Sequence, residues 1–366
     1  MRKISFLLSI TCLIATEIVA QEQVLAPFDS SSWNVDNAEF IHTKFQGKES
    51  ILLTRGTFFL EDVEFLNGTI EVDINFANRR NFPGVRFRIQ DKGNYENFYV
   101  RPHQSGKPDA NQYTPVFNGT AGWQLYHGED WSFPITYDFD TWHHIKIVVS
   151  GGKADIYFDD MERAAVKVDL LREIAAGKLG VSSGIAPVYY ADFKYTLTDG
   201  PTTAQPIESK AEPTAITKWE VSNVIADSVL LEKYQLDKAF KSSLNWNTYN
   251  SESIGLINLA RYGKRSRGNT TVAVKVEIES ASQQLKKLNF GFSDRVRVYL
   301  NDQAIYEGND IYMSRDFRHL GTIGFFDSVF LPLKKGKNEL WFVVGEAFGG
   351  WGLQAKFDNM EGIALE

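Results

Sequence analysis

HHIKIVVSGGKADIYFDD, residues 143–160, decides how the first half of this chain is read. Ile145, Ile147 and Val149 fall on every second position, with His144, Lys146 and Val148 between them. Gly151-Gly152 turns the chain, and Ile156 and Phe158 resume the alternation on the return. Period two with a glycine turn is the signature of an antiparallel hairpin that is half buried on one face. The same alternation appears upstream in GTIEVDINF (68–76), where Ile70, Val72, Ile74 and Phe76 alternate with Thr69, Glu71, Asp73 and Asn75. It appears again in GVRFRIQ (84–90). Turn signals every ten or so residues make this a β-sandwich pattern. One stretch, VDLLREIAAG (168–177), reads instead as a short helix ending on a C-cap glycine.

Working outward, DGPTTAQPIESKAEPT (199–214) carries three prolines and one large apolar residue, Ile207, as an interdomain linker does. Beyond it TVAVKVEIES (271–280), RVRVYLND (295–302) and NELWFVVGEA (338–347) again read as strands. At the other end, Arg2 and Lys3, an apolar run from Ile4 to Ala15 and Ala20 before Gln21 form a signal-peptide pattern. The expected organisation is a signal peptide (1–20), a β-sandwich (21–198), a Pro-rich linker (199–214) and a second β-sandwich (215–366). The expected fold class is thus all-β. The single cysteine, Cys12, lies in the signal segment, so the expected exported protein has no disulfide. A periplasmic or secreted location follows, with no transmembrane segment. A net charge of -7 and the lack of a Lys/Arg block argue against a nucleic-acid partner.

On GTIEVDINF, TWHHIKIVVSGGKADIYFDD (141–160) and KLGVSSGIAPVYYADFKYTL (178–197), the first half resembles the concanavalin A-like lectin and glucanase superfamily. Its laminin-G-like and keto-disaccharide-hydrolase-like branches are included in that resemblance. On FGFSDRVRVYLNDQAIYEG (290–308) and FLPLKKGKNELWFVVGEAFGGWGLQAKF (330–357), the second half resembles the galactose-binding-like jelly roll. The resemblance implies carbohydrate binding or carbohydrate chemistry, and a fold alone fixes neither.

Three readings of function stay open on the residues. A binding face is offered by FYVRPHQSGKPDANQYTPVFNGTAGWQLYHGEDW (98–131). Extended, it puts Tyr99, Arg101 and His103 on one face, joined by Arg86 and Arg88 from the preceding strand. Trp123, Tyr126 and Trp131 supply rings on which a sugar can stack, and arginine grips an anionic group with two parallel bonds. The plainer reading of 98–131 is a loop packed over the sandwich by its own aromatics. A glycoside hydrolase or keto-disaccharide hydrolase is offered by Glu71 and Asp73, one face and about 6.6 Å apart on a strand, with His103 as a further candidate. Glucanases of the superfamily carry a second glutamate after Glu-x-Asp, and here Asn75, Phe76 and Ala77 stand there. The plainer reading of Glu71 and Asp73 is a solvated polar face. A non-catalytic adhesive or structural protein is the third reading. No metal site and no cofactor are expected, with calcium left open. Asp109, Asn111, Asp159 and Asp160 have the oxygens calcium takes, but their spacing fits no EF-hand loop and turn chemistry accounts for them.

Overall fold

The computed structural model describes residues 22–28, 31–203 and 210–366. The expected signal peptide and part of the expected 199–214 linker lie outside the described residues. The protein is all-β and built of jelly-roll sandwiches. The described strands before the linker are β1 (Val24–Leu25), β2 (Trp33–Phe45), β3 (Lys48–Leu60), β4 (Gly68–Asn75), β5 (Gly84–Asp91), β6 (Asn94–Val100) and β7 (Asn111–Phe117). They continue as β8 (Thr120–Ala121), β9 (Trp142–Ser150), β10 (Lys153–Phe158), β11 (Val166–Asp169), β12 (Lys178–Ser183) and β13 (Val188–Leu197). All belong to one antiparallel sheet in the order β11-β10-β9-β4-β13-β3-β12-β5-β6-β7-β8, with β2 beside β3 and β1 beside β13.

The sheet closes on itself because β3 is shared. Ser50–Leu53 pair with β13, and Gly56–Phe59 pair with β12. The two strands meet β3 end to end, and each leads off into its own layer. Gly56 is the bend: at φ +88 a Cβ would stand 2.4 Å from the Asn37 carbonyl oxygen, so only glycine fits. Alternation then fills the space between the layers. Ile70, Val72, Ile74, Ile145 and Ile147 from one layer meet Val85, Phe87, Phe98 and Val100 from the other, all 0–1% exposed.

The expected helix at 168–177 does not form. Val166–Asp169 is strand β11, with Val168 opposite Ala154. The Leu170 N–H donates to the Gly152 carbonyl at 2.7 Å and the Leu171 N–H to the Tyr113 hydroxyl at 3.0 Å. A ten-residue helix is marginal without tertiary support, and here tertiary partners take its backbone in extended form.

After the linker, Thr271–Ser280 runs antiparallel to Gly336–Gly345, which pairs on its other side with Arg295–Leu300. These central strands belong to a seven-stranded sheet facing a four-stranded one. Val274 and Phe342 pack with Phe290 and Leu353 between them. Among the described residues no helix is long and apolar enough to cross a membrane.

Candidate functional site

The outer face of the β12-β5-β6-β7 layer carries the polar side chains that alternate with the core. Arg86 stands opposite Asn97 and Gly84 opposite Tyr99. Asn97 in turn stands opposite Thr114, and Tyr99 opposite Gln112. The Arg86 Nη1 donates to Thr57 Oγ1 at 2.6 Å, and the guanidinium lies 4.4 Å from the Tyr95 ring centroid. Its Nε is buried without a partner, as is the Asn97 Oδ1.

Further along the face, Tyr99 donates to Gln112 Oε1 at 2.9 Å, and the Arg101 Nη2 donates to the Tyr99 hydroxyl at 2.6 Å and also to Gln112. The Arg101 Nη1 donates to the Asp109 carbonyl at 2.9 Å. Arg101 is therefore buried and bonded within the protein, and it positions Tyr99 and Gln112.

His103 does not continue the strand. β6 ends at Val100, and Pro102–Gln104 forms a single 3-10 turn with proline at its start, where a fixed φ and a missing N–H favour a turn over a ladder. The imidazole still reaches the face, edge-on to Phe82 at 5.3 Å, and Phe82 also meets Tyr99 at 6.1 Å. The His103 Nδ1 and the Gln104 Oε1 are again buried without partners. Burial, then the charges of Arg80 and Arg101, push the His103 pKa down, so the ring is neutral at neutral pH.

Arg88 leaves the face altogether. Its φ is +48 and the β5–β6 register breaks after Phe87, so the strict alternation that paired it with Arg86 fails at a bulge. The side chain turns inward, 2% exposed, and donates to the Leu66 carbonyl at 2.6 and 2.9 Å and to Gly151 at 2.7 Å. Its counter-charge is Glu96, fully buried and bonded by the Tyr113 hydroxyl at 2.6 Å.

Residues 122–131 tie the sheet of β1–β13 to the chain that follows residue 214. Tyr126 is fully buried, donates to Glu252 Oε1 at 2.8 Å and accepts from Asn258 at 3.0 Å. Trp131, 7% exposed, packs on Tyr113 at 5.9 Å and Tyr126 at 5.4 Å. Trp123 is half-buried against Tyr312 and Phe348. Gln124 donates from its backbone to the Gly349 carbonyl (2.9 Å) and from its amide to the Leu320 carbonyl (2.7 Å). Gln112 links this loop to the polar face by donating to the Trp123 carbonyl at 2.9 Å. Tyr126 and Trp131 thus serve packing. The open part of the face lies around Arg86, Asn97 and His103, away from their rings.

Glu71 and Asp73 lie on the outer face of the other layer, so the structure does not bring them to Arg86 or His103. Both share a face as expected, and His144 bridges them: its Nδ1 meets Asp73 Oδ1 at 2.5 Å and its Nε2 meets Glu71 Oε2 at 3.1 Å. Lys48 bonds Asp73 and, at 2.7 Å, Asp192. Burial pulls the Asp73 carboxyl upward, but the hydrogen bonds from His144 and Lys48 outweigh it and hold the group below its usual range. The bond to Asp73, aided by Glu71, pushes the His144 pKa up. A glycosidase needs one carboxyl kept protonated as general acid. Asp73 is held ionised, as a nucleophile or base would be, and with His144 and Lys48 it forms an ion-pair network.

Of the residues weighed for calcium, Asp159, Asp160 and Asn111 have their side-chain oxygens engaged elsewhere. Asp159 accepts from the His144 N–H at 2.8 Å and meets His143 at 2.7 Å, while Asp160 accepts from the N–H groups of Glu162 and Arg163. Asn111 exchanges both its amide bonds with the Phe133 backbone.

Sequence reasoning missed Asn97, Gln104 and Phe82. Asn97 was within reach, because it stands two residues from Tyr99 and so shares its face. Lys48, His144 and Asp192 join Glu71 and Asp73 only through register, which the sequence does not display.

No family model matches this chain, and no curated protein matches it. Among solved structures it is similar to the carbohydrate binding module CBM66 from Bacillus subtilis, at 20% identity and TM-score 0.33, over 44% of this chain and 94% of that one. It is similar to a putative glycosyl hydrolase from Parabacteroides distasonis at 12% identity and TM-score 0.34, over 47% and 90%. A Bacillus licheniformis beta-glucanase matches at 11% identity and TM-score 0.35, over 48% and 98%. Each likeness spans less than half of this chain, and what the chain does has to be argued from its side chains.

Proposed function

We propose that this protein is an exported carbohydrate-binding protein, an accessory to carbohydrate processing, that takes an oligo- or polysaccharide on the outer face of β5, β6 and β7. The division into sandwiches at 21–198 and 215–366 belongs to the same reading. The observation that carries it is the set of buried polar atoms without partners: Arg86 Nε, Asn97 Oδ1, His103 Nδ1 and Gln104 Oε1. Arg Nε only donates, and the Asn and Gln oxygens only accept. A ligand that pairs with all of them must offer both roles along one chain, which sugar hydroxyls do. Leaving a buried polar atom unpaired costs about 1–3 kcal/mol, so a side-chain rearrangement that brings these atoms to a ligand's hydroxyls recovers part of that energy. Phe82, only partly buried, adds apolar ring surface beside the polar atoms, as stacking on sugar C–H faces requires.

Calorimetry of the full chain against neutral, uronic and sulfated polysaccharides tests the reading. Arg86→Ala and Asn97→Ala should each weaken binding by about tenfold, equivalent to one lost hydrogen bond of about 1.4 kcal/mol. Absence of binding to every class, or variants that bind like the parent, would sink the proposal. No reducing sugar should be released by the parent or by Glu71→Gln. Release by the parent that Glu71→Gln abolishes would move the function to the opposite face.

A further inference from the structure

We propose that the saccharide taken by this face is anionic, a chain bearing uronate carboxylates or sulfate groups. The inference rests on the carbohydrate-binding reading and adds the charge of the ligand.

The face is cationic on a chain whose net charge is -7. The strongest charge effects on His103 come from Arg80, Arg101 and Lys107, opposed by the carboxylate of Asp109. Arg101 is used up by Tyr99, Gln112 and the Asp109 carbonyl. Arg80 and Lys107 are exposed and make no ion pair among the described residues. Arg80 rests only on the Phe82 ring, 6.0 Å from its centroid, and Phe82 in turn touches His103. At the far end Arg86 has spent one Nη on Thr57 and leaves its buried Nε unpaired. Arg86 and Phe82 are four residues apart, about 13 Å along an extended chain.

Two cationic stations therefore flank Asn97 and Tyr99. A neutral sugar would leave both unpaired, whereas a guanidinium meets an oxyanion with charge-assisted bonds about twice as strong as neutral ones. His103 gives an independent readout. An anion beside it opposes the burial and the cationic neighbours that lower its pKa, so binding takes up a proton and tightens as pH falls.

The test uses the full chain and a matched pair of probes, oligogalacturonate and its methyl ester, with a sulfated galactan as the third arm. Oligogalacturonate or the sulfated galactan should bind at least about tenfold tighter than the methyl ester. Which of the two does so identifies the oxyanion. The preference should shrink when ionic strength is raised from about 50 to about 300 mM, and it should be lost in the double variant Arg80→Gln, Arg86→Gln. If the methyl ester binds as well as the acid and the sulfated galactan does not bind more tightly, the anionic inference fails while the carbohydrate reading stands. If no saccharide of any class binds, it is the carbohydrate reading that fails.

Discussion

Thermal stability should fall as pH rises from about 6 to about 9, and Glu346→Gln should flatten that fall. Glu346 is 3% exposed and Asp294 not at all. The Asp294 Oδ2 accepts from the N–H groups of Ala347 and Phe348, at 2.6 and 2.7 Å, whereas the Glu346 Oε2 is buried without a partner. Burial first, and then the Asp294 charge, push the Glu346 carboxyl up to about 8; burial pushes Asp294 to about 6. At neutral pH Glu346 therefore holds the proton, and Asp294, with its two N–H donors, carries the charge. Arg265, 3.5 Å from Glu346, is the nearest cation.

The sign follows from linkage. The folded pKa lies above the ordinary 4.5, so the native state retains a proton that the unfolded chain releases. That stabilisation is complete below pH 4.5 and is lost as pH rises through about 8. The loss between pH 5 and 9 should be on the order of 2–4 kcal/mol, several degrees in Tm. Asp73, whose carboxyl is held low, acts in the opposite sense and weakens the fold as acid protonates it. Melting curves across pH decide the matter. A parent curve flat from pH 6 to 9, or a Glu346→Gln curve as steep as the parent's, would remove Glu346 from the explanation.

The second large effect is expected at Gly349, where the loop of Trp123 and Gln124 meets the C-terminal sandwich. Its φ is +101, and a Cβ there would stand 2.3 Å from Gln124 Oε1 and 2.8 Å from Trp123 Cε2. Gly349→Ala should cost about 2–4 kcal/mol, combining backbone strain with displacement of the loop. Gly47→Ala separates the two causes, since Gly47 has φ +83 and nothing within 4 Å of its Cβ position. That variant should lose only about 1 kcal/mol. Because Gln112 bonds the Trp123 carbonyl, Gly349→Ala should also weaken saccharide binding, while Gly47→Ala should leave it unchanged. Equal denaturation midpoints for the two variants would show that the loop contact contributes nothing.

Alternation made most of the fold legible. In Trp142–Ser150 every second residue is buried, from His143 to Val149, as the sequence pattern alone requires. The pattern misled at 168–177, where apolar spacing suits a helix but the Gly152 carbonyl and Tyr113 hydroxyl claim the backbone. It misled again at Arg88, because one bulge reverses every later side chain on a strand, and nothing in GVRFRIQ marks where the bulge falls.

The sequence by itself determined the all-β class, the faces of β4 and β9 and the outward facing of Arg86 on β5 and of Tyr99 on β6, because these depend on a two-residue period carried within each strand. Only the tertiary structure decided that Glu71 and Asp73 stand on the opposite layer from Arg86, that His144 joins them, and that Tyr126 and Trp131 pack rather than bind. Those facts depend on which strands become neighbours and on where β3 bends. Such contacts join residues far apart in the chain, for which local periodicity holds no information.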